Sequence, residues 1–276
     1  MCELQRRGHS VVALVRPPVE RPSLPAAVEI VTGDLADAPA LARLLRRCDA
    51  YVHVASLGFG HAGVITQAVD EASVPRSVFF SSTSIYTKLP AASKAPRLAA
   101  EKRVQGLRSA WTILRPTMIY GAAGDRNMER LIRFMARSPV VPLPGAGRGL
   151  VQPVHVDDLG RAAVDALLCG KTHHRTYELS GGEASPLRDV VQHIHGLLGR
   201  RHLVLALPIP PMVLAARAWS ALRLPPRVTP EQILRLAEDK AYSFEAARAD
   251  WGYAPRSWRV GLTAEVATLR GSGHIH

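Results

Sequence analysis

The sequence is poor in cysteine, in lysine and in aromatic residues. Its three cysteines, Cys2, Cys48 and Cys169, lie far apart among 276 residues and form no C-x-x-C pair. This spacing excludes a zinc site built from cysteines and argues against a disulfide framework, so we expect a reducing, cytoplasmic setting. The histidines lack neighbouring carboxylates and cysteines that would complete a ligand set, and we predict no metal site.

Long hydrophobic runs are missing as well. The longest run without a charged residue or a histidine covers residues 203–216, and Pro208, Pro210 and Pro211 interrupt it. This run is shorter than the ~20 apolar residues that a membrane-spanning helix needs. We therefore predict no stable insertion into a membrane.

The positive charge of the chain comes mostly from arginine. Lysine and arginine number 35 against 23 acidic residues, which gives a net charge of +12, and only five of the 35 are lysines. The arginines are scattered, and no basic stripe alternates with aromatic residues. Scattered arginine is typical of a solvated surface, so we predict no nucleic-acid partner.

Strand-like and helix-like segments alternate over the first two thirds of the chain. Continuous apolar runs indicate buried parallel strands, and apolar residues three and four apart indicate helices. Predicted strands cover residues 11–15, 28–31, 50–54, 77–80, 111–114 and 154–156. Predicted helices cover residues 38–47, 64–72, 98–107, 128–137, 159–168, 187–198, 213–222 and 230–236. Between them, residues 139–149 are predicted to be a loop rich in proline and glycine.

This order predicts an α/β fold, namely a doubly wound, Rossmann-type parallel sheet with a smaller C-terminal α+β substrate domain. We assign residues 1–125 and 149–176 to the dinucleotide-binding domain. Residues 126–148 and 177–276 form the smaller substrate-binding domain in this assignment.

A glycine-rich turn is missing in front of the first helix. Residues 1–9 look like the end of a helix that stops at Gly8. In a doubly wound dinucleotide fold, a strand and a glycine-rich turn precede this helix, and the turn holds the pyrophosphate. We expect both to be encoded in frame upstream of Met1, within roughly 15–20 residues. The alternative is a genuinely shortened protein.

Eight segments occur in an order that resembles one family, the extended and atypical short-chain dehydrogenases/reductases, often called NAD(P)-dependent epimerases/dehydratases. The segments are RGHSVVALVR (7–16), GDL (33–35), VHVAS (52–56), FFSSTSIY (79–86), WTILRPTMIYG (111–121), PVHVDDLGRAAVDAL (153–167), YELSGGE (177–183) and WGYAPR (251–256). Together they cover the chain nearly end to end. The resemblance implies a Rossmann-type fold, a nicotinamide cofactor and a small-molecule substrate; homodimer formation stays open.

The resemblance also implies which residues contact the cofactor. They are Arg16, Asp34, Leu35, Ala55, Ser56, Ser81, Pro116 and Thr117. A guanidinium at position 16 suits the 2′-phosphate of NADP, so NADP is favoured and NAD is the alternative. Arg16 as a solvated strand end and Asp34 as a helix cap are the competing interpretations.

On the substrate side, the resemblance places Ser82 on the catalytic serine or threonine that hydrogen-bonds the reacting oxygen. Ser84 and Asn127 are implied to contact substrate. Arg148 is expected to substitute for a diphosphate-binding arginine, because Val151 occupies that position. The competing interpretation of residues 81–84 is a serine-rich turn. Other polar residues nearby are assigned to structure: His53 packs in a strand, and Asp157 and Asp158 cap the helix that begins at Leu159.

One departure from the family concerns proton transfer. The family's acid/base tyrosine and its lysine are spaced Y-x-x-x-K, and the aligned residues here are Ser93 and Arg97. The pKa of a serine hydroxyl is far too high for this role, and an arginine does not release its proton. Tyr86 is the best remaining candidate, with Lys88 or Lys94 expected to lower its pKa. The competing interpretation is that Tyr86 packs on the substrate without exchanging protons.

The predicted function is hydride transfer on an alcohol or carbonyl substrate, with a nucleotide sugar as one candidate. The protein would then be an NAD(P)-dependent oxidoreductase, epimerase or dehydratase. The alternative is a catalytically impaired dinucleotide-binding or scaffold protein of the same fold.

Overall fold

The computed structural model describes residues 1–17, 24–25, 27–125, 127–200, 202–222 and 229–275. Its helices are α1 (Cys2–Arg6), α2 (Ala38–Leu45), α3 (Ala62–Ala72), α4 (Lys94–Gln105), α5 (Met128–Arg137), α6 (Val156–Leu168), α7 (Leu187–Leu198), α8 (Ile209–Ala221), α9 (Pro230–Ala237), α10 (Glu245–Trp251) and α11 (Trp258–Gly271). Its strands are β1 (Val11–Val15), β2 (Val28–Thr32), β3 (Ala50–His53), β4 (Arg76–Phe80), β5 (Ala110–Pro116), β6 (Ile119–Tyr120), β7 (Val140–Pro144), β8 (Leu150–Val151), β9 (Val154–His155), β10 (Arg175–Leu179), β11 (Ser185–Pro186) and β12 (Leu203–Leu207).

Parallel strands in the order β10-β5-β4-β3 form the larger sheet of the described residues. β1 and β2 pair in parallel as a separate sheet. β4 and β5 are central and buried, which explains their nearly continuous apolar sequences. The parallel sheet with intervening helices confirms the predicted α/β, Rossmann-type fold.

Helices cover both faces of this sheet. Phe79 and Ile113 pack with α2, α3 and α4 in one core cluster. Their strand neighbours Val78 and Leu114 point the opposite way and pack with α6 and α10 in another. This alternation is the doubly wound arrangement, because successive side chains of a strand face opposite sides. A further core joins α5, α7 and α11 around the buried Trp258.

Two sequence predictions about the proline-rich segments were wrong. Residues 139–149 are not simply a loop, because β7 pairs in parallel with β12 of the long uncharged run. This pairing joins residues about sixty positions apart, so the local sequence pattern does not reveal it. α8 begins at Ile209 rather than at residue 213, since Pro210 and Pro211 occupy the first turn, where a backbone N–H has no partner to lose.

A buried arginine joins the larger sheet to α6. Arg76 lies on β4, is 8% exposed, and has no carboxylate at ion-pair distance in the described part of the chain. Its guanidinium instead donates hydrogen bonds to the carbonyls of Ser77, Ala110, Ala166 and Leu167 and to the hydroxyls of Thr112 and Thr172. The carbonyls at the end of α6 carry the negative end of the helix dipole, which compensates part of the buried charge. Burial still lowers the pKa of Arg76, to about 10.

We predict that Arg76→Met lowers the free energy of unfolding by about 3 kcal/mol, because several buried oxygen atoms lose their donor at once. Urea denaturation followed by circular dichroism measures this. Arg43→Met, an exposed substitution on α2, is the matched control and should change stability by less than about 0.5 kcal/mol. Equal effects of the two substitutions would contradict a structural role for the Arg76 hydrogen bonds.

Candidate functional site

The loops after β3, β4 and β5 meet at the carboxyl edge of the larger sheet. Thr83, after β4, donates its hydroxyl hydrogen bond to the carbonyl of Pro116 at the end of β5, at 3.2 Å. Arg97 on α4 crosses Gly58 in the loop after β3, where a Cβ atom would lie 3.3 Å from the Arg97 Cγ. The edge at which open α/β sheets bind ligands therefore carries residues from three loops.

Ser82 begins the short 3-10 turn Thr83–Tyr86 at this edge. Its Oγ accepts a hydrogen bond from the backbone N–H of Ser84 at 3.1 Å. A hydroxyl that accepts in this way still has its own O–H to donate. The neighbouring Ser81 Oγ is buried and finds no hydrogen-bond partner among the described residues. This turn thus presents one available donor and one unsatisfied hydroxyl.

Ser93 and Arg97, the residues aligned with the family's tyrosine and lysine, both reach this turn. Nη1 of Arg97 donates to Ser84 Oγ at 2.8 Å and to Ser93 Oγ at 2.9 Å. The structure therefore brings Ser82, Ser84, Ser93 and Arg97 into one cluster. Burial and then the charge of Arg235 lower the pKa of Arg97.

Tyr86 belongs to a separate polar network beside the cluster. Its hydroxyl donates to Glu178 at 2.5 Å and accepts from Arg115 at 2.5 Å. Burial and then the Glu178 hydrogen bond raise the pKa of Tyr86 to about 12. The expectation that Lys88 or Lys94 lowers this pKa is wrong, because Lys94 donates instead to the carbonyl of Thr87.

The other cofactor-side residues are spread along the strand ends. Arg16 is exposed directly after β1, and Leu35 packs against the core formed with α2, α3 and α4. Ser56 Oγ accepts from the N–H of Gly58 and so begins a 3-10 turn, with Ala55 just before it. Thr117 donates its hydroxyl to the carbonyl of Gln152 at 2.5 Å.

Asp34 is not a helix cap. Its side chain accepts from the N–H of Ala36 in a turn, whereas Asp37 caps α2 by accepting from Ala40. His53 is 3% exposed and hydrogen-bonded to Tyr51, as predicted for a packed strand residue, and burial lowers its pKa to about 4.

Asp157 and Asp158 do not cap α6 either, because the helix begins three residues before Leu159, at Val156, and His155 Nδ1 accepts from the N–H of Asp157. Asp158 is buried and pairs with Arg256 at 3.0 Å. Its role is structural, as predicted, but it acts through an ion pair.

The predicted substrate contacts Asn127 and Arg148 lie away from the serine cluster in sequence and are exposed. The Asn127 amide donates to the carbonyl of Ile119 at 2.9 Å. Arg148 follows the 3-10 turn Gly145–Gly147, and Val151, at the position of the family arginine, is fully buried.

One sequence signal was missed. Residues 58–63, GFGHAG, match the pattern G-x-G-x-x-G between β3 and α3. In the phosphate-binding fingerprint the first glycine directly follows the strand. Here four residues separate His53 from Gly58, and the last of them already belongs to a 3-10 turn. The match therefore does not form that tight turn. The match only identifies the loop after β3, where Gly58 lies against the Arg97 side chain.

Comparisons with known proteins agree with this architecture. Residues 1–133 match the family model described as NAD(P)H-binding. Ceramide reductase of Caulobacter vibrioides is 30% identical over 222 residues, covering 73% of this chain and 67% of that protein. This chain belongs to the extended and atypical short-chain dehydrogenases/reductases. A second relative, the 2-alkyl-3-oxoalkanoate reductase of Stenotrophomonas maltophilia, is 29% identical over 175 residues, and the chain spans 53% of its length.

A solved structure has the same fold. The UDP-glucuronic acid 4-epimerase from Bacillus cereus, in complex with UDP-glucuronic acid and NAD, matches with a TM-score of 0.74 and 17% identity. The match covers 98% of this chain and 93% of the epimerase. The family membership makes this an NAD(P)-binding protein of the reductase/epimerase type. Among the described helices, none has both the length and the apolar character needed to cross a bilayer.

The contacts of Tyr86 favour packing over proton exchange. We predict that Tyr86→Phe lowers turnover by much less than the ~100-fold loss expected when a general acid/base is removed. The reason is that Glu178 and Arg115 already hold the hydroxyl in hydrogen bonds. Steady-state rates with confirmed hydride transfer measure this. A loss of ~100-fold or more, with unchanged folding, would restore Tyr86 as the acid/base.

Proposed function

We propose that this protein reduces a carbonyl group of a small-molecule substrate with NADPH. The observation that carries the proposal is the Ser82 hydroxyl, which is fixed at the carboxyl end of β4 and keeps one donor available. The names of the two curated relatives, both reductases, favour reduction over epimerisation. NADPH when bound supplies the hydride chemistry, and the protein supplies orientation and electrostatics.

The residues at the strand ends fit a dinucleotide. The buried Ser81 hydroxyl lacks a partner in the described part of the chain, and a polar group of a ligand would satisfy it. Val54, directly after β3, is 75% exposed and offers an apolar surface to a flat ring. Arg16 is exposed at the end of β1, as a residue that holds the 2′-phosphate must be.

Ser82 would act on the oxygen of the reacting carbonyl. Reduction places negative charge on that oxygen, and a donor that is already oriented stabilises the charge without reorganising. The hydrogen bond from the Ser84 N–H orients Ser82 in this way. Asn127 and Arg148 are proposed to contact more distant parts of the substrate.

A second candidate function is a dinucleotide-binding scaffold without turnover. The specific observation in its favour is that Ser93 and Arg97 replace the proton-transfer pair, while the hydroxyl of Tyr86 is committed to Glu178. A scaffold would bind cofactor and transfer no hydride.

Two assays test the two candidates: oxidation of NADPH in the presence of ketones and oxo acids, and reduction of NADP+ in the presence of alcohols and nucleotide sugars. We predict turnover of a carbonyl substrate that falls about 100-fold in Ser82→Ala, because the fixed donor to the reacting oxygen is lost. Ser10→Ala, at an exposed position, is the control. The assay uses both the 276-residue chain and the protein extended by any residues encoded in frame before Met1. Tight NADPH binding without turnover across the panel would favour the scaffold.

Cofactor choice depends on Arg16. If its guanidinium pairs with the 2′-phosphate, we predict that NADPH binds more tightly than NADH by about 1–3 kcal/mol, the usual worth of a hydrogen bond to a charged group. Arg16→Asp should abolish or reverse this preference, and calorimetry with both cofactors measures it. Equal affinities in the parent protein would identify Arg16 as a solvated surface residue.

A further inference from the structure

Among the residues that the structure describes, no carboxylate lies at ion-pair distance from Arg97. In the described part of the chain, its hydrogen bonds are those of Nη1 to Ser84 and Ser93, and Nε and Nη2 make none. The side chain is nonetheless partly buried. Charged groups that leave water normally pair with an opposite charge, so the free edge of this guanidinium lacks its usual partner.

A second arginine, Arg235, lies on α9, and its charge contributes to lowering the pKa of Arg97. The end of α9 docks on the turn that contains Ser84, because the Glu238 carboxylate accepts from Thr87 Oγ1 at 2.7 Å and from the N–H of Lys88 at 2.9 Å. Arg235 lies one helical turn before Glu238. Its nearest carboxylate among the described residues is Glu231, at a distance of 3.7 Å.

A lysine adds to this positive region. Lys240 is partly buried and donates from Nζ to the carbonyl of Arg235 rather than to a carboxylate. Burial and then the charge of Arg235 lower its pKa to about 8. The acids closest to Lys240 in sequence are Glu238, whose oxygens accept from Thr87 and Lys88, and Asp239, whose Oδ1 accepts from the N–H of Leu150. Among the described residues, neither Arg97 nor Lys240 has a carboxylate at ion-pair distance, and the charge of Arg235 disfavours the charged form of both. A bound anion would stabilise these charges.

We propose that Arg97 and Arg235 form a binding site for an oxyanion of the substrate, either a carboxylate or a phosphate. Planar guanidinium groups match the paired oxygens of both. The site rests on the proposed function, because it assigns the anionic part of a substrate whose carbonyl contacts Ser82. It also limits the chemistry of that substrate.

The limit follows from the hydrogen bonds between the two sites. Ser82 Oγ is bonded to the backbone of Ser84, and Ser84 Oγ is bonded to Arg97. The donor for the carbonyl is Ser82, and the donor for the anion is Arg97, which is bonded to Ser84, two residues further along the turn. A substrate that contacts both donors carries an anionic group as well as a carbonyl, as a 3-oxo acid does.

Calorimetry with three probes tests the site: acetoacetate, its neutral methyl ester, and inorganic phosphate. We expect acetoacetate to bind at least tenfold more tightly than the ester, and Arg97→Gln and Arg235→Gln each to remove this difference. Arg97→Lys should keep part of it, since the charge remains and the planar fork is lost. Arg103→Gln, an exposed position on the same helix, is the control and should bind like the parent.

Two results would overturn the proposal: equal binding of acid and ester, with phosphate bound no better, or anion binding that survives Arg97→Gln. Phosphate binding without acetoacetate binding, lost in Arg97→Gln, would support the site and identify its anion as a phosphate. Melting curves check the folding of each variant, and Arg97→Lys remains informative if Arg97→Gln does not fold. Loss of NADPH binding in Arg97→Gln with anion binding intact would assign Arg97 to the cofactor instead. NADPH oxidation with neutral ketones is measured separately, so the reductase function can stand while the anion site fails.

Discussion

The position of the candidate site depends on one buried ion pair. Arg115 on β5 donates from two nitrogens to the carboxylate of Glu101 on α4, at 2.5 and 3.0 Å, and Glu101 is 2% exposed. Burial alone would lower the pKa of Arg115, but the hydrogen bonds and charge of Glu101 outweigh this and raise it. Removing either partner would leave an uncompensated buried charge, which is strongly destabilising. Because Arg97 lies one turn before Glu101 on α4, the ion pair also positions Arg97 beside the turn that contains Ser84.

The same guanidinium reaches two further elements. It donates to Tyr86 in the 3-10 turn and to Glu178 on β10. One side chain thereby connects α4, β5, β10 and the turn that carries Ser82 and Ser84. The turn itself is short, so its position is fixed by these neighbours rather than by its own backbone.

Much of the fold could be predicted from the sequence because its signals are local. The apolar run at residues 77–80 and the stripe of Leu41 and Leu45 on α2 each identify one element without reference to the rest of the chain. The pairing of β7 with β12 could not be predicted, since it joins distant segments and contains prolines. Ser81, Ser82 and Ser84 are predicted site residues because they follow a recognisable strand and because the family resemblance aligns Ser82 with a catalytic position. From the sequence, Arg97 could be recognised only as the loss of the family's lysine. The anion site proposed for it also needs Arg235 on α9, more than 130 residues later in the chain.

The substitutions at positions 93 and 97 change the chemistry that the cluster can perform. A tyrosine and lysine pair moves a proton, whereas a serine hydroxyl and a guanidinium hold theirs throughout the accessible pH range. Ser82, Ser84 and Ser93 supply hydroxyl groups that can donate hydrogen bonds, and Arg97 supplies a fixed positive charge. All four groups stabilise negative charge on oxygen, and none of them titrates near neutral pH. If the protein reduces a carbonyl as proposed, the contribution of these four groups is electrostatic, and the proton for the reduced oxygen comes from another source, such as water or the substrate.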